Sequence, residues 1–219
     1  MAIRPNFRPS FRIAAAILLT GSSLPALAQT PAPDQGLEDI VVTAQRRAEN
    51  LQNVPLSVGT VSGDSLAAIS SSGADIRALS GRVPSLNIES SFGRTFPRFY
   101  IRGLGNTDFD LNASQPVSLV YDDVVLENPI LKGFPIFDLD RVEVLRGPQS
   151  TLFGKNASAG VVNIVTKAPS DRFEGSAEVA YFDRQEYRAR GVINLPVSDK
   201  GGFRLTGFYS KYDGNIRNI

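Results

Sequence analysis

The chain has 219 residues, a formal net charge of +1, and no cysteine, histidine or tryptophan. This length allows one or two domains with a hydrophobic core, and the near-neutral charge does not indicate a nucleic-acid partner. The lack of cysteine and histidine excludes disulfide frameworks, cysteine-based metal sites and nucleophiles that an imidazole activates. Ser–Lys or paired-carboxylate chemistry remains open on composition alone. We nevertheless expect a protein that is not an enzyme, with no cofactor and no bound metal.

Residues 1–28 have the pattern of a secretory signal peptide. Arg4, Arg8 and Arg12 precede the apolar run "IAAAILL", and "LPALA" ends in small residues at Ala28. A membrane-spanning helix needs about 20 apolar residues, and this run is shorter. The pattern predicts a segment that is cleaved after Ala28 during export.

Residues 29–52 are predicted to form a flexible leader, because "QTPAPDQG" is rich in proline and glycine and has no periodicity. Within the leader, "IVVT" (40–43) is a short run of β-formers with no partner strand close by. Such a segment on a tether could pair with the edge of another protein's sheet. An ordinary first strand of this protein is an equally good interpretation.

Residues 53–167 are predicted to form an α+β domain. Two helices are expected to start at Asp64 and Asp75, and five or six short strands surround them. The strands are "LSVGTVS", "SLNI", "RFYIRG", "VSLVYDDVVL", "RVEVLR" and "VVNIVTK". Runs of strands with interspersed helices are typical of a mixed sheet with helices on it.

The connection between "RVEVLR" and "VVNIVTK" contains glycines that could suggest a phosphate-binding loop. Such a loop needs four residues between its glycines and a Ser or Thr after the lysine, but Gly147 and Gly154 are separated by six residues and Lys155 is followed by Asn. We predict instead a tight connection in which Gly147 and Pro148 end the strand. Gly154 and Gly160 would then permit positive φ or close approach of the backbone.

Residues 168–219 show long strands with one apolar and one polar face: "EGSAEVAYF", "YRARGVINL" and "FRLTGFYSKY". Strands of about ten residues with this alternation are typical of a transmembrane β-barrel. A water-soluble antiparallel sheet is the alternative from alternation alone. The signal peptide and the aromatic strand ends favour an outer membrane. Three strands cannot close a barrel, so we expect an N-terminal fragment or a truncated product.

Several acidic residues could be read as a carboxylate or calcium cluster: Asp108, Asp110, Asp122, Asp123, Asp138 and Asp140. They do not follow the spacing of a calcium-binding loop, and acids are common on surfaces. We interpret them as solvated loop residues.

The segment "RVEVLRGPQSTLFGKNASAGVVNIVTK" (141–167) resembles the closing signature of the plug domain of TonB-dependent outer-membrane receptors. "DIVVTAQRR" resembles their TonB box, "RFYIRG" a plug strand ending in Arg-Gly, and "VYDDVVL" the strand that follows. The residues that carry the plug signature are Arg102, Gly103, Arg146, Gly147, Pro148, Gly154 and Gly160. The resemblance implies a 22-stranded barrel that the plug occludes, with its first three strands in residues 168–219.

The resemblance also implies sites and partners. The TonB box would bind TonB, which is energised by an inner-membrane complex, through Asp39, Ile40, Val41, Val42, Thr43 and Ala44, facing the periplasm. A ligand would meet loops at the outward end of the plug. The candidates for ligand contact are Phe92, Arg94, Phe96, Asp108 and Asn128.

The function implied is active uptake of a scarce nutrient, most often a ferric siderophore in this family, across the bacterial outer membrane. The alternative is a truncated, transport-incompetent plug-like module that binds TonB or a ligand in the periplasm. Both interpretations exclude nucleic acid as a partner.

Overall fold

The computed structural model describes residues 40–72, 75–108, 110, 112–182, 186–198 and 201–212. The strands in these parts are Val41–Val42 (β1), Glu49–Asn50 (β2), Val58–Ser62 (β3), Leu86–Glu89 (β4), Arg98–Ile101 (β5), Leu104–Gly105 (β6), Val117–Tyr121 (β7), Val124–Leu126 (β8), Leu139–Arg146 (β9), Gly160–Thr166 (β10), Glu174–Phe182 (β11), Glu186–Ser198 (β12) and Gly201–Lys211 (β13). The α-helices are Gly63–Ser72 (α1) and Ser150–Phe153 (α2), and 3₁₀ turns span Leu51–Asn53, Ile76–Leu79 and Pro129–Lys132. Neither α-helix has the length and apolar character that a membrane-crossing helix needs.

The α+β domain is built on a five-stranded mixed sheet in the order β3-β9-β10-β7-β8. In its centre, β10 pairs antiparallel with β9 and parallel with β7. The central residues of β9 and β10 are buried on both faces, which explains the nearly continuous run of β-branched residues in β10. A smaller antiparallel sheet, β4-β5-β6, lies beside them.

Side chains on the two faces of the mixed sheet belong to different hydrophobic clusters. Val142 and Val144 of β9 pack with α1, the 76–79 turn and the small sheet. Leu145 of β9 points to the other face and packs with Val42, Phe153 and further apolar residues of the N-terminal part and the 147–160 connection. The sheet therefore carries one apolar layer on each face, as period-two alternation along a strand requires.

The first predicted helix needs correction at its start, and the second needs correction in its type. α1 begins at Gly63, so Asp64 lies in its first turn and is not the N-cap residue. Asp75 does act as an N-cap, since its Oδ1 accepts a hydrogen bond from the backbone N–H of Arg77 at 2.9 Å. The element that follows is a four-residue 3₁₀ turn rather than an α-helix.

The stretch "VSLVYDDVVL" is a hairpin, and the prediction of a single strand is wrong. β7 and β8 pair antiparallel through Tyr121 and Val124. Asp122 and Asp123 between them have φ of 43° and 66°, the left-handed conformation of a two-residue hairpin turn. Asp122 also accepts bonds from the backbone N–H and hydroxyl of Thr166, which hold this strained turn against β10.

Strands β11, β12 and β13 form a separate antiparallel sheet whose polar face is turned inward. Apolar side chains point away from the α+β domain, with Val179 82% and Leu205 61% exposed. The alternate residues of β12 are buried: Glu186, Arg188, Arg190 and Asn194. An apolar outer face and a polar inner face confirm the predicted first strands of a membrane barrel and are the reverse of a water-soluble sheet.

Candidate functional site

The first candidate site is a segment that lies docked on the α+β domain, residues 40–44, which we call the docked segment. Val41 and Val42 pair antiparallel with Glu49 and Asn50, so the prediction that this run has no partner strand close by is wrong. The backbone N–H of Leu51 donates to the carbonyl of Ile40 at 2.8 Å. Residues 40–52 are thus folded rather than a flexible leader, and Asp39 lies outside the described residues.

Burial of two small side chains fixes the docked segment in place. Val42 and Ala44 are both fully buried in the cluster that includes Leu145 and Val161. Full burial of a valine side chain contributes about 1.5–3 kcal/mol. Ile40 instead lines a cavity of 660 Å³ beside β3 and α1.

Thr43 lies between these two side chains and contacts a buried polar group of the sheet. Its backbone N–H donates to Oε1 of Glu143 at 2.7 Å, and its hydroxyl donates to the same oxygen at 3.2 Å. The hydroxyl also accepts from Nη2 of Arg141 at 3.2 Å and from Nδ2 of Asn163 at 3.3 Å. One donor and two acceptor positions are the full capacity of a hydroxyl, so Thr43 is saturated.

Glu143 is the centre of this cluster and has no exposed surface. Its Oε1 also accepts from Nε of Arg141 at 2.7 Å, and its Oε2 accepts from Asn163 at 3.1 Å. Burial disfavours the charged form of Arg141, but its hydrogen bonds to Glu143 and Asp140 outweigh that effect and raise its pKa. A buried carboxylate needs this compensation, because an uncompensated charge in the interior is costly.

The candidates for ligand contact have different surroundings. Phe92 is exposed, while Phe96 is buried and meets the Phe92 ring edge-on at 6.0 Å between centroids. Arg94 donates from Nη2 to Oε2 of Glu186 at 2.8 Å. An exposed apolar contact is therefore available at Phe92 but not at the buried Phe96.

Asp108 and Asn128 are exposed and make local hydrogen bonds in their loops. Oδ1 of Asp108 accepts from the N–H of Asp110 at 2.9 Å. Oδ1 of Asn128 accepts from the N–H of Ile130 at 3.0 Å and caps the 129–132 turn. The 129–133 loop lies against the 92–97 loop, since a Cβ on Gly133 would be 2.9 Å from the carbonyl oxygen of Arg94.

The residues of the proposed plug signature form turns around the sheet. Arg102 and Gly103, with φ of 53° and 81°, connect β5 to β6. Gly154, with φ of 84°, ends α2. Pro148 is exposed beside Gly147, whose N–H donates to the carbonyl of Ala159 at 3.0 Å.

Two further signature residues hold neighbouring strands together. Arg146 donates to the carbonyl of Val58 at 3.3 Å and so ties β9 to β3. Gly160 has no room for a side chain, because a Cβ there would lie 2.3 Å from the carbonyl oxygen of Leu145. The glycines of this connection therefore serve turns and close packing, as predicted from their spacing.

The acidic residues do not converge on one site, and the prediction of a solvated loop residue is wrong for Asp138, whose side chain is only 8% exposed. Asp138 pairs with Arg204 and Asp140 with Arg141, while Asp122 holds Thr166. Within the described parts of the chain, no group of three or more acidic residues is placed to hold a metal ion.

Sequence reasoning missed the residues that join the β11–β13 sheet to the α+β domain. Arg204 donates two hydrogen bonds to the carboxylate of Asp138, from Nε to Oδ2 at 2.8 Å and from Nη2 to Oδ1 at 2.6 Å. Arg190 donates to the carbonyl of Ser70 near the end of α1 at 3.2 Å. Sequence reasoning also missed Glu143 and Asn163. A single polar residue inside an otherwise apolar run, "VEVL" (142–145) or "VVNIV" (161–165), was the available signal, since buried polar groups need partners.

Comparison with known proteins identifies the family. The family model described as TonB-dependent Receptor Plug Domain matches residues 50–161. The pesticin receptor of Yersinia pestis is 32% identical over 186 residues, which cover 84% of this chain and 27% of that protein. The ferric enterobactin receptor PirA of Pseudomonas aeruginosa is 29% identical over an alignment of 246 positions, which covers 98% of this chain and 32% of that protein.

Solved structures share the fold. The ferric yersiniabactin uptake receptor FyuA from Yersinia pestis superposes with a TM-score of 0.59 at 30% identity, covering 66% of this chain and 22% of that one. The pyoverdine outer membrane receptor FpvA from Pseudomonas aeruginosa has a TM-score of 0.62 at 19% identity, with coverage of 78% and 24%. The chain thus spans about a quarter of the length of these two receptors. It belongs to the family of TonB-dependent receptors and carries their plug domain together with strands β11–β13, which we call the wall strands or the wall.

Proposed function

We propose that this chain supplies the plug, the TonB-binding segment and the first wall strands of an outer-membrane receptor that imports a ferric siderophore. The observation that carries the proposal is the reversed polarity of the β11–β13 sheet. Val179 and Leu205 point outward, whereas the buried Arg190 and the largely buried Arg204 contact the plug. This arrangement suits a strand wall with lipid on one side and a polar plug on the other.

The names of the relatives support the substrate class. FyuA is a ferric yersiniabactin uptake receptor, and PirA is a ferric enterobactin receptor. The rhizobactin receptor of Rhizobium meliloti is 29% identical over 168 residues. The names of FyuA and PirA both state a ferric ligand, which supports a ferric siderophore as the ligand here.

The contacts between plug and wall are suited to reversible movement. Arg94 binds Glu186, Arg190 binds the end of α1, and Arg204 binds Asp138. When plug and wall strands separate, water can replace these polar contacts, because each group finds new hydrogen-bond partners in solvent. A pulling force on the N-terminal side of the plug would then loosen the plug without exposing a large apolar surface.

The site assignments extend this proposal. Residues 1–28 are the signal peptide, residues 29–52 the leader with the TonB box, 53–167 the plug and 168–219 the first wall strands. Asp39 to Ala44 pair with TonB as an added strand on the periplasmic side. Phe92, Arg94, Asp108 and Asn128 belong to loops that face the ligand, with Phe96 supporting Phe92 from below.

The test is growth under iron limitation. A strain that lacks the full-length gene is complemented in three separate ways: with the parent gene, with the gene carrying Val41→Pro, or with the gene carrying Val41→Thr. Each complemented strain is supplied with a panel of ferric siderophores. Proline removes the N–H that an added strand needs, whereas threonine at this half-exposed position keeps it. We expect growth on one siderophore with the parent and Val41→Thr, and none with Val41→Pro.

Two outcomes would contradict the proposal. Growth of the complemented strain on cobalamin or a carbohydrate, with no response to any ferric siderophore, would refute the substrate class. Equal growth of Val41→Pro and the parent would refute energy coupling through residues 39–44.

A further inference from the structure

The docked segment is closed to a partner strand in the form that the structure describes. A strand that joins another protein's sheet must offer its backbone N–H and C=O groups. Here β1 is paired with Glu49 and Asn50, and the N–H of Thr43 is bound to Glu143. Docking on the plug and pairing with a partner therefore compete for the same backbone groups.

Glu143 is the residue of the sheet that contacts both the backbone and the side chain of Thr43. It projects from β9 on the same face as Leu145, between apolar residues that have no hydrogen bonds to offer the segment. Hydrogen bonds to a charged acceptor are roughly twice as strong as those between neutral groups. The carboxylate is thus the strongest single polar contact that holds Thr43.

The surroundings of Glu143 also make this contact reversible. When Thr43 leaves, Oε1 keeps the bond from Arg141 and Oε2 keeps the bond from Asn163. The buried charge is therefore still compensated in the released state. A carboxylate without these partners would hold the segment too strongly to release it, because the uncompensated charge would oppose departure.

We propose that Glu143 is a positioning residue that latches the docked segment: its carboxylate holds the N–H and hydroxyl of Thr43, and the segment becomes available to a strand-pairing partner only when these bonds break. The identity of that partner as TonB rests on the proposed function. The latch itself is a property of this chain and is measurable without any partner.

The experiment measures how often the segment leaves its site. The printed sequence has no cysteine, so a single thiol can report on one position. Val42→Cys places a thiol at a fully buried position of the docked segment, and Val117→Cys places one in the cluster on the other face of the sheet. The rate of labelling by a water-soluble maleimide is measured on the full-length receptor in membranes. The receptor without Val42→Cys or Val117→Cys shows how much labelling comes from other thiols.

The latch is weakened by Glu143→Gln, which keeps the size of the side chain and removes its charge. We expect labelling at Val42→Cys to become about tenfold faster, the change expected when charged hydrogen bonds to Thr43 become neutral ones. The matched control is Asp140→Asn, which removes the other carboxylate bound to Arg141 but does not contact Thr43. It should change the rate by less than about twofold, and Val117→Cys should label at an unchanged rate.

An unchanged rate at Val42→Cys in the Glu143→Gln receptor overturns the proposal. If Glu143→Gln also accelerates labelling at Val117→Cys, then Thr43→Val decides, since it removes the hydroxyl from the segment and leaves the sheet intact. A rate at Val42→Cys about threefold faster, with Val117→Cys unchanged, supports the latch, and no acceleration overturns it. Because no ligand or TonB is added, failure of the growth test leaves this result standing.

Discussion

Arg94 in the loop after β4 and Glu186 at the start of β12 are joined by a 2.8 Å contact between Nη2 and Oε2. Glu186 also accepts from Nε of Arg188 at 2.7 Å, and the Arg94 guanidinium lies 4.6 Å from the centroid of the Tyr212 ring. The loop that carries the exposed Phe92 is therefore positioned by the wall. This contact changes the interpretation of Arg94, because its charge is already paired.

We predict that Arg94 acts on ligand affinity through Glu186. Arg94→Ala and Glu186→Gln should each weaken binding of the proposed ligand, a ferric siderophore, by about tenfold, and the double variant should be no weaker, with a coupling of about 1–2 kcal/mol. Siderophore titration of the purified full-length receptor measures this, and the exposed Arg102→Ala serves as the control. A loss with Arg94→Ala that Glu186→Gln does not reproduce would mean that Arg94 contacts the ligand directly.

A second pair, Asp138 and Arg204, joins the start of β9 to β13. Both side chains are nearly buried, and the carbonyl of Asp138 accepts from the N–H of Lys167 at 3.2 Å. Arg204→Met would leave the Asp138 carboxylate without its guanidinium, a change that costs about 3–5 kcal/mol for a buried pair. The backbone around Lys167 should then open more often.

Trypsin cleavage after the exposed Lys167 measures this opening, and the fragment is identified by mass. We expect cleavage to be faster by about tenfold or more in Arg204→Met, because proteolysis follows the population of the open form. Arg172→Met is the matched control, since Arg172 and its partner Asp171 are both 84% exposed. Equal cleavage of the two variants would contradict a holding role for the Asp138–Arg204 pair.

The glycines of the plug signature should differ sharply in their tolerance of alanine. Gly160 has φ of 157° and lies so close to the carbonyl of Leu145 that no Cβ fits, whereas Gly154 has φ of 84° and open space around it. With ψ of −173°, Gly154 lies in a backbone region that is essentially limited to glycine, so Gly154→Ala carries a backbone cost of about 1–3 kcal/mol and no clash. Gly160→Ala adds a clash with backbone and should destabilise by more than about 3 kcal/mol or prevent folding.

Urea unfolding of the chain, followed by far-ultraviolet circular dichroism, compares the two alanine variants with the parent. Similar free energies of unfolding for Gly154→Ala and Gly160→Ala would show that β9 and β10 can separate to accept a side chain. That result would remove the packing reason for glycine at position 160.

Local patterns in the sequence were sufficient to predict much of this fold. The β-branched runs of β9 and β10 and the alternation in β11–β13 depend on residues two positions apart, which a sequence displays directly. The turn at Asp122 and Asp123 was missed because its second position holds aspartate, where a two-residue hairpin turn of this type most often has glycine.

The docked segment could not be predicted by the same means. Thr43 and Glu143 are 100 residues apart, and the bond between them exists only because β9 lies beneath the segment. The strand pairing with Glu49 and Asn50 joins two residues on each side, too few to leave a pattern. The contacts of Arg94 and Arg204 likewise depend on how the wall meets the plug, which is a tertiary property.

Lys132 leads to a prediction about pH. Its side chain is almost fully buried, and Nζ donates to Oε1 of Gln115 at 2.5 Å. Burial disfavours the charged form and lowers the pKa to about 8, although nearby Glu127 acts in the opposite direction. In the unfolded chain the pKa returns to its ordinary value of 10.5.

Between pH 8 and 10.5 the unfolded chain therefore binds more protons at this position than the folded one, so Lys132 makes stability rise with pH across that window. The rise amounts to about 2–3 kcal/mol, and below pH 8 this residue adds no slope. Lys132→Met should abolish the rise, while Lys155→Met, at an exposed position, should keep it. Urea unfolding at several pH values measures the difference between each variant and the parent, so that titrating tyrosines cancel. If the Lys132→Met difference does not change between pH 7.5 and 10.5, the buried lysine has an ordinary pKa and water reaches it in the folded state.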